Sequence, residues 1–333
     1  MSDIPIDVAP RAARLLRWYP KSWRSRYGDE FTELLMSELS EQPRSWRRSF
    51  DVMRSGLAAR LSSAGLGGRM LDPSLQVRAS LAALGCAMAG FLVFGTAMWS
   101  QLTIGWQWAR PDTAATAAAM VVMSCTMVLF VALAVLAAIP VAWHALTRLA
   151  RGQWRGLLGP AALIVGGGAL LVAGSRHFGN GWPGTGGHAW AHQGLVPGGV
   201  AAVSWSSTLS ISSYWAHPGA LSSFPAAEIA WMAVSPVAVV CVVMGAAKAL
   251  LRLDLSPRTL RYEARLSVAA ALGMLVFLGA CCAWVLDGGP GPRNLFHAGA
   301  IDLGGLVVMA GALLVAYRAS SRARGAGVAV PAH

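Results

Sequence analysis

Apolar and polar positions divide the chain into two unlike parts. Over the first 66 residues, apolar side chains recur at helical spacing among charges. Trp23, Tyr27, Phe31, Leu35 and Leu39 come every fourth residue, followed by Trp46, Phe50, Met53, Leu57 and Leu61. Residues three and four apart share one face of a helix, so each set draws a single apolar stripe. The spacing predicts helices over about 22–41 and 44–64, with Pro20 and Pro43 marking the ends of the first. A shorter basic helix through Arg11, Arg14 and Arg17 precedes both. Facing stripes on two or three short helices predict a small helical module, and Gly65, Gly67 and Gly68 a flexible joint after it.

From residue 79 the pattern changes to long uncharged runs. A helix needs about 20 mainly apolar residues to cross about 30 Å of hydrocarbon. Six stretches qualify, at about 79–101, 115–143, 156–175, 228–248, 266–286 and 298–317. The last must include Asp302, because the uncharged residues 303–317 alone would make only about 22 Å of helix. The expected fold is all-α: a polytopic membrane protein with a six-helix transmembrane bundle and a small cytosolic N-terminal helical module. Its parts are a prefix module at 1–66, a linker at 67–78, the membrane domain at 79–318 and a tail at 319–333. Residues 176–227 are expected to form an exoplasmic loop. A seventh span over 195–216 would bury Ser204, Ser206, Ser207, Ser210, Ser212 and Ser213, and would move the five-base loop 248–265 outside.

Composition supports the membrane class. The chain is 55% apolar and 13% charged, about half the charge of a soluble domain, which excludes disordered, fibrous and ordinary soluble proteins. A net charge of +12 raises the question of nucleic acid, and the placement of the charge answers it. Of 27 basic residues, 24 lie in segments 1–78, 144–156, 248–265 and 318–333, and only Arg110, Arg176 and Arg293 lie in the alternate ones. That asymmetry follows the positive-inside rule and puts both termini in the cytoplasm, with no nucleic-acid partner. Arginine, alanine and glycine usage suggests a bacterial plasma membrane. No apolar signal sequence is evident at the N-terminus, so the first run is expected to serve as its own anchor. Trp99, Trp106, Trp108, Trp231 and Trp284 are expected at the outer interface, with Trp143 and Trp154 at the inner one. Pro140 and Pro236 sit inside spans, and Gly166, Gly167 and Gly168 suggest close helix packing.

Candidate chemistry is sparse. No phosphate-binding loop, HExxH or GxSxG is found, so neither enzyme activity nor a cofactor is expected. All five cysteines lie in apolar runs and suggest no disulfide framework. Asp302 is the one charged group clearly inside a span, where such groups mark polar pathways. His188 and His192, four apart, would share a face and form a metal pair if that loop were helical. Arg11, Arg14, Arg17, Arg24, Arg26, Arg47 and Arg48 form a basic surface for membrane lipids, each contributing about 1 kcal/mol near an anionic leaflet. Residues 8–64 could instead dock a cytosolic or membrane protein, with Asp29, Glu30, Glu33, Glu38 and Glu41 as the acidic side. The expected role is a regulatory or interaction component. The alternative is a transporter or permease subunit for a small or apolar compound, working with a separate ATPase.

Residues 17–35, RWYPKSWRSRYGDEFTELL, resemble the YPxxWRxRYGxE segment found at the N-termini of many actinobacterial multi-span proteins. The segment is similar to the helical HAAS or permease-prefix type of module. Tyr19, Pro20, Trp23, Arg24, Arg26, Tyr27, Gly28 and Glu30 carry the likeness, over about 50 of the 333 residues. The resemblance implies a helical prefix ahead of membrane spans, linked to signalling or transport, and it brings no catalytic residues.

Overall fold

The computed structural model describes residues 8–41, 46–63, 72–103, 113–154, 156–179, 226–287 and 299–329. Among the described residues there are nine helices and no strand. Three belong to the prefix: α1 (Val8–Leu16), α2 (Lys21–Glu41) and α3 (Trp46–Ser63). Their shared core is Ala12, Leu16, Tyr19, Leu35, Leu39 and Val52. The α2 stripe faces this core, with Leu35 and Leu39 buried and Trp23 and Phe31 packed at its edge.

The α3 stripe does not. Trp46 is 71% exposed, and Phe50, Leu57 and Leu61 are exposed beside it; Val52 and Gly56 are the buried residues. Close approach decides the face. A Cβ on Gly56 would lie 2.7 Å from Trp18 Cβ and 2.9 Å from the Trp18 carbonyl carbon, so only glycine admits this packing. Arg60 holds the same place from one turn further on, donating from Nε to Trp18 O at 2.6 Å and from Nη2 to Arg17 O at 2.5 Å. Those carbonyls belong to the turn just after α1.

The remaining helices are α4 (Pro73–Thr103), α5 (Ala114–Ala150), α6 (Leu158–Gly179), α7 (Ala226–Arg252), α8 (Pro257–Leu286) and α9 (Gly299–Ala329). Capping sets two of the starts. Thr113 accepts from the Thr116 amide at α5, and Ser256 accepts from the Thr259 amide at α8, with Pro257 next to it. Five helices have apolar segments long enough to cross a membrane: Pro73–Thr96, Ala114–Ala150, Val234–Arg252, Pro257–Leu286 and Gly304–Val328. The corresponding segment of α6, Leu158–Ala173, is shorter. Large aliphatic side chains such as Val128, Val131, Ile139, Val165, Val237 and Val307 point outward. Water would not tolerate so much exposed apolar surface, whereas hydrocarbon requires it. The chain is therefore a multi-pass membrane protein.

Helix α4 packs most extensively against α9, and it also meets α5, α7 and α8. At the centre, Phe91, Phe130 and Phe277 from α4, α5 and α8 form a triangle with ring centroids 5.7 to 6.2 Å apart. Gly95 leaves room for Phe277 and Gly273 for Phe130, since a Cβ at either would lie within about 3.0 Å of the ring. The α6–α7 pair uses the same device. A Cβ on Gly167 would meet Ala238 O at 2.7 Å, and one on Gly245 would meet Pro160 O at 2.9 Å. Of the three adjacent glycines of α6, Gly167 makes the close contact, while Gly166 and Gly168 face open space.

Several boundaries differ from the uncharged runs. Helix α4 starts at Pro73, inside the expected linker, and α8 starts nine residues before 266. Helix α9 continues to Ala329, through most of the expected tail, with Ala319, Ala323 and Ala326 buried. Arginine is a good helix former, so charge marks where hydrocarbon ends and not where a helix ends. Trp284 is 4% exposed in the bundle core, and Trp99 donates to Ser124 Oγ at 2.9 Å. Both are packing residues, whereas Trp143 and Trp154 are exposed as interfacial tryptophans would be.

Candidate functional site

In the prefix, the motif residues build one turn and one groove. Pro20 begins α2, its carbonyl accepting from the Trp23 and Arg24 amides at 3.1 and 3.0 Å. Tyr19 stacks on Trp23 at 4.1 Å between centroids and meets the edge of Phe31 at 5.3 Å. Burial pushes the Tyr19 phenol above its ordinary pKa. Arg26 lies over the Tyr27 ring at 5.4 Å. Nothing in the structure explains Gly28, where a Cβ would make ordinary contact. Between α2 and α3 runs a groove of about 480 Å³, floored by Tyr19, Phe31, Leu34, Leu35 and Val52. Its rim carries Arg47 and Asp51 beside the Glu38–Arg48 ion pair, so both signs of charge border the groove.

The seven arginines expected on one basic surface divide into two groups. Arg48 is tied inward by an ion pair to Glu38 at 3.2 Å and a bond to Glu38 O at 2.5 Å, and Arg11 donates to Ser49 Oγ at 3.3 Å. These two hold α1 and α2 to α3. Arg14, Arg17, Arg24, Arg26 and Arg47 are exposed. Asp302 falls in the first turn of α9, and its side chain lies outside the described residues. His188 and His192, with the rest of 180–225, also lie outside them.

Basic side chains gather at one end of the bundle. Arg78 of α4 donates to Leu253 O at 2.9 Å and reaches Asp254 Oδ1 at 3.4 Å. Arg148 of α5 donates to Arg252 O at 2.6 Å and pairs with Asp254 Oδ2 at 3.1 Å. Arg252 in turn donates to Gly156 O at 2.6 Å. The free carbonyls at the end of α7 are thus capped by guanidinium groups from two other helices, the partner sign that a helix C-terminus favours. At the opposite end, Asp287 accepts from the hydroxyls of Thr113 and of Thr116, the latter at 2.8 Å. These bonds, that from Thr113 foremost, hold its carboxyl below the usual range.

Glu263 was not among the residues singled out from the sequence. It is 6% exposed, and its Oε1 has no hydrogen-bond partner among the described residues. It shares the core face of α8 with Ser267, Ala270, Met274 and Phe277, at helical spacing. Extending the α8 stripe back to the Ser256–Pro257 start would have found it. Close by, the Tyr262 hydroxyl lies 3.5 Å from Leu136 O, at the limit of hydrogen bonding. Pro140, four residues on, has no N–H to satisfy that carbonyl.

Comparison with protein-family models, curated proteins and solved structures returned no match.

Proposed function

We propose that this chain is a regulatory or interaction component of the bacterial plasma membrane, with six spans and both termini cytoplasmic. The carrying observation is the α2–α3 groove. Its apolar floor and two-signed rim suit a protein segment better than an anionic leaflet, which would favour positive charge alone. The motif resemblance fits this reading, because Tyr19 and Trp23 shape the turn that opens onto the groove. Counting α6 as a span rests on its 22 residues, about 33 Å of helix. The cytoplasmic assignment rests on the basic residues gathered at one end of the bundle.

The test places a photo-crosslinking side chain at the exposed groove residue Leu34 in cells. A discrete protein adduct is expected, and reversing the signs of Arg47 and Asp51 together should remove it. Adducts with lipid alone would overturn the reading.

Glu263 favours a second reading as a transporter or permease subunit, since a buried carboxyl with no partner among the described residues, inside a bundle, is the kind of group that marks a polar pathway in membrane proteins. In that case Glu263→Gln should abolish flux of the transported compound in vesicles while leaving the folded protein intact. Asp302→Asn tests the carboxylate in the first turn of α9 in the same assay.

A further inference from the structure

Helices α8 and α9 are antiparallel neighbours, and at the basic end a cleft of about 380 Å³ opens between them. It is lined by Arg261, Arg265 and Arg324, with Ala264, Val268 and Val328 forming apolar wall. Gly327 lies beside Ala264 across the α8–α9 contact, where a Cβ would make ordinary van der Waals contact with Ala264 Cβ at 3.7 Å. The volume falls in the range of small-ligand sites. Among the described residues no carboxylate lines the cleft, and the neighbouring Glu263 belongs to the opposite, core face of α8. Arg261 donates only its Nε within the described residues, to Pro257 O at 3.3 Å. Arg265 and Arg324 pair with nothing among the described residues. By contrast, Arg78 and Arg148 at the same end are consumed by Asp254 and backbone carbonyls. Three arginines lining one cleft without a carboxylate partner among the described residues, beside an apolar wall that continues into an apolar helix, suit a ligand with an anionic head and an apolar body.

We infer that this cleft binds the phosphate-bearing headgroup of an anionic phospholipid, with the guanidiniums on the phosphate and the first acyl carbons along Ala264, Val268 and Val328. Arginine suits the task because its planar fork pairs with phosphate oxygens two at a time. The site does not depend on which side of the membrane this end faces, nor on the groove of the prefix, so its failure would leave the proposed function standing.

The full-length protein is purified in a neutral detergent and given phosphatidylglycerol, phosphatidylcholine or inorganic phosphate. Retained lipid is read by native mass spectrometry. Phosphatidylglycerol should be held in clear preference to phosphatidylcholine. Arg265→Gln with Arg324→Gln should weaken binding about thirtyfold, taking about 1 kcal/mol for each guanidinium. Arg258→Gln, at an exposed residue of the same end that does not line the cleft, should leave binding unchanged. A second measurement needs no variant: photoactivatable phosphatidylglycerol should crosslink wild-type protein within residues 261–268 and 324–328. Equal retention of the two lipids, full binding by the double variant, or adducts confined to other helices would each overturn the site. Competition by millimolar inorganic phosphate to the same extent as by lipid would assign the cleft to a soluble anion and overturn the lipid.

Discussion

Gly56 and Arg60 both act on the turn at Trp18, Gly56 through close packing and Arg60 through hydrogen bonds to Arg17 O and Trp18 O. Gly56→Ala forces a Cβ to within 2.7 Å of Trp18, and overpacking of this kind costs about 1–3 kcal/mol. Amide hydrogen exchange of the full-length chain should show protection lost in α1–α3 and kept in α4–α9; unchanged protection in the prefix would disprove the packing role. At the basic end, Asp254 is 76% exposed, so its ion pairs are screened and contribute about 0–1 kcal/mol. Arg78 and Arg148 also cap carbonyls, and hydrogen bonds from charged donors contribute about 1.5–3 kcal/mol. Thermal unfolding should therefore rank Arg78→Ala and Arg148→Ala as more damaging than Asp254→Asn, and the reverse order would refute the capping argument. Asp287 provides a pH test. Its folded pKa lies below the ordinary 3.8, so its stabilising contribution is complete above that value. That contribution disappears as pH falls through the lowered pKa. Thr113→Val with Thr116→Val should move the carboxyl titration, followed by carbon NMR, back up towards 3.8. A titration that stays put would remove the threonines as its cause.

Among elements, the α6–α7 pair shows why small residues matter where both surroundings and interface are apolar. Lipid is as apolar as leucine, so helices associate through close packing. Gly167→Val and Gly245→Val should each lower the melting temperature in detergent, while Gly166→Val, facing open space, should not. If Gly166→Val proves equally harmful, the interface has been assigned to the wrong face. The glycine run itself was visible in the sequence as a packing feature. Which of its three members packs depends on helix rotation against α7, and α6 alone carries no such information. The same limit explains α3. Its Trp46–Leu61 stripe was plain to see, yet the buried face is the smaller one carrying Val52 and Gly56, because backbone approach to Trp18 excludes large side chains. Helix ends were hidden for another reason: uncharged runs report hydrocarbon, and α8 and α9 continue well past it through arginine.

For the whole molecule, the expected topology can be checked directly. In a cysteine-free background, a single cysteine at Val200 should react with a membrane-impermeant reagent from outside intact cells, and one at Arg324 should react only after permeabilisation. Labelling of position 200 from the cytoplasm would overturn the six-span arrangement. The sequence by itself determined the membrane class, the helical prefix, the placement of most apolar helices and the asymmetry of charge. These follow from composition and local periodicity, which each segment carries on its own. Only the tertiary structure decided which face of each helix is buried, that Glu263 lies in the core without a partner among the described residues, and that Asp254 ties Arg78 and Arg148 together while Arg265 and Arg324 share a cleft. Those outcomes depend on which helices meet and at what rotation, and residues as distant as Arg261 and Arg324 become neighbours only through that packing.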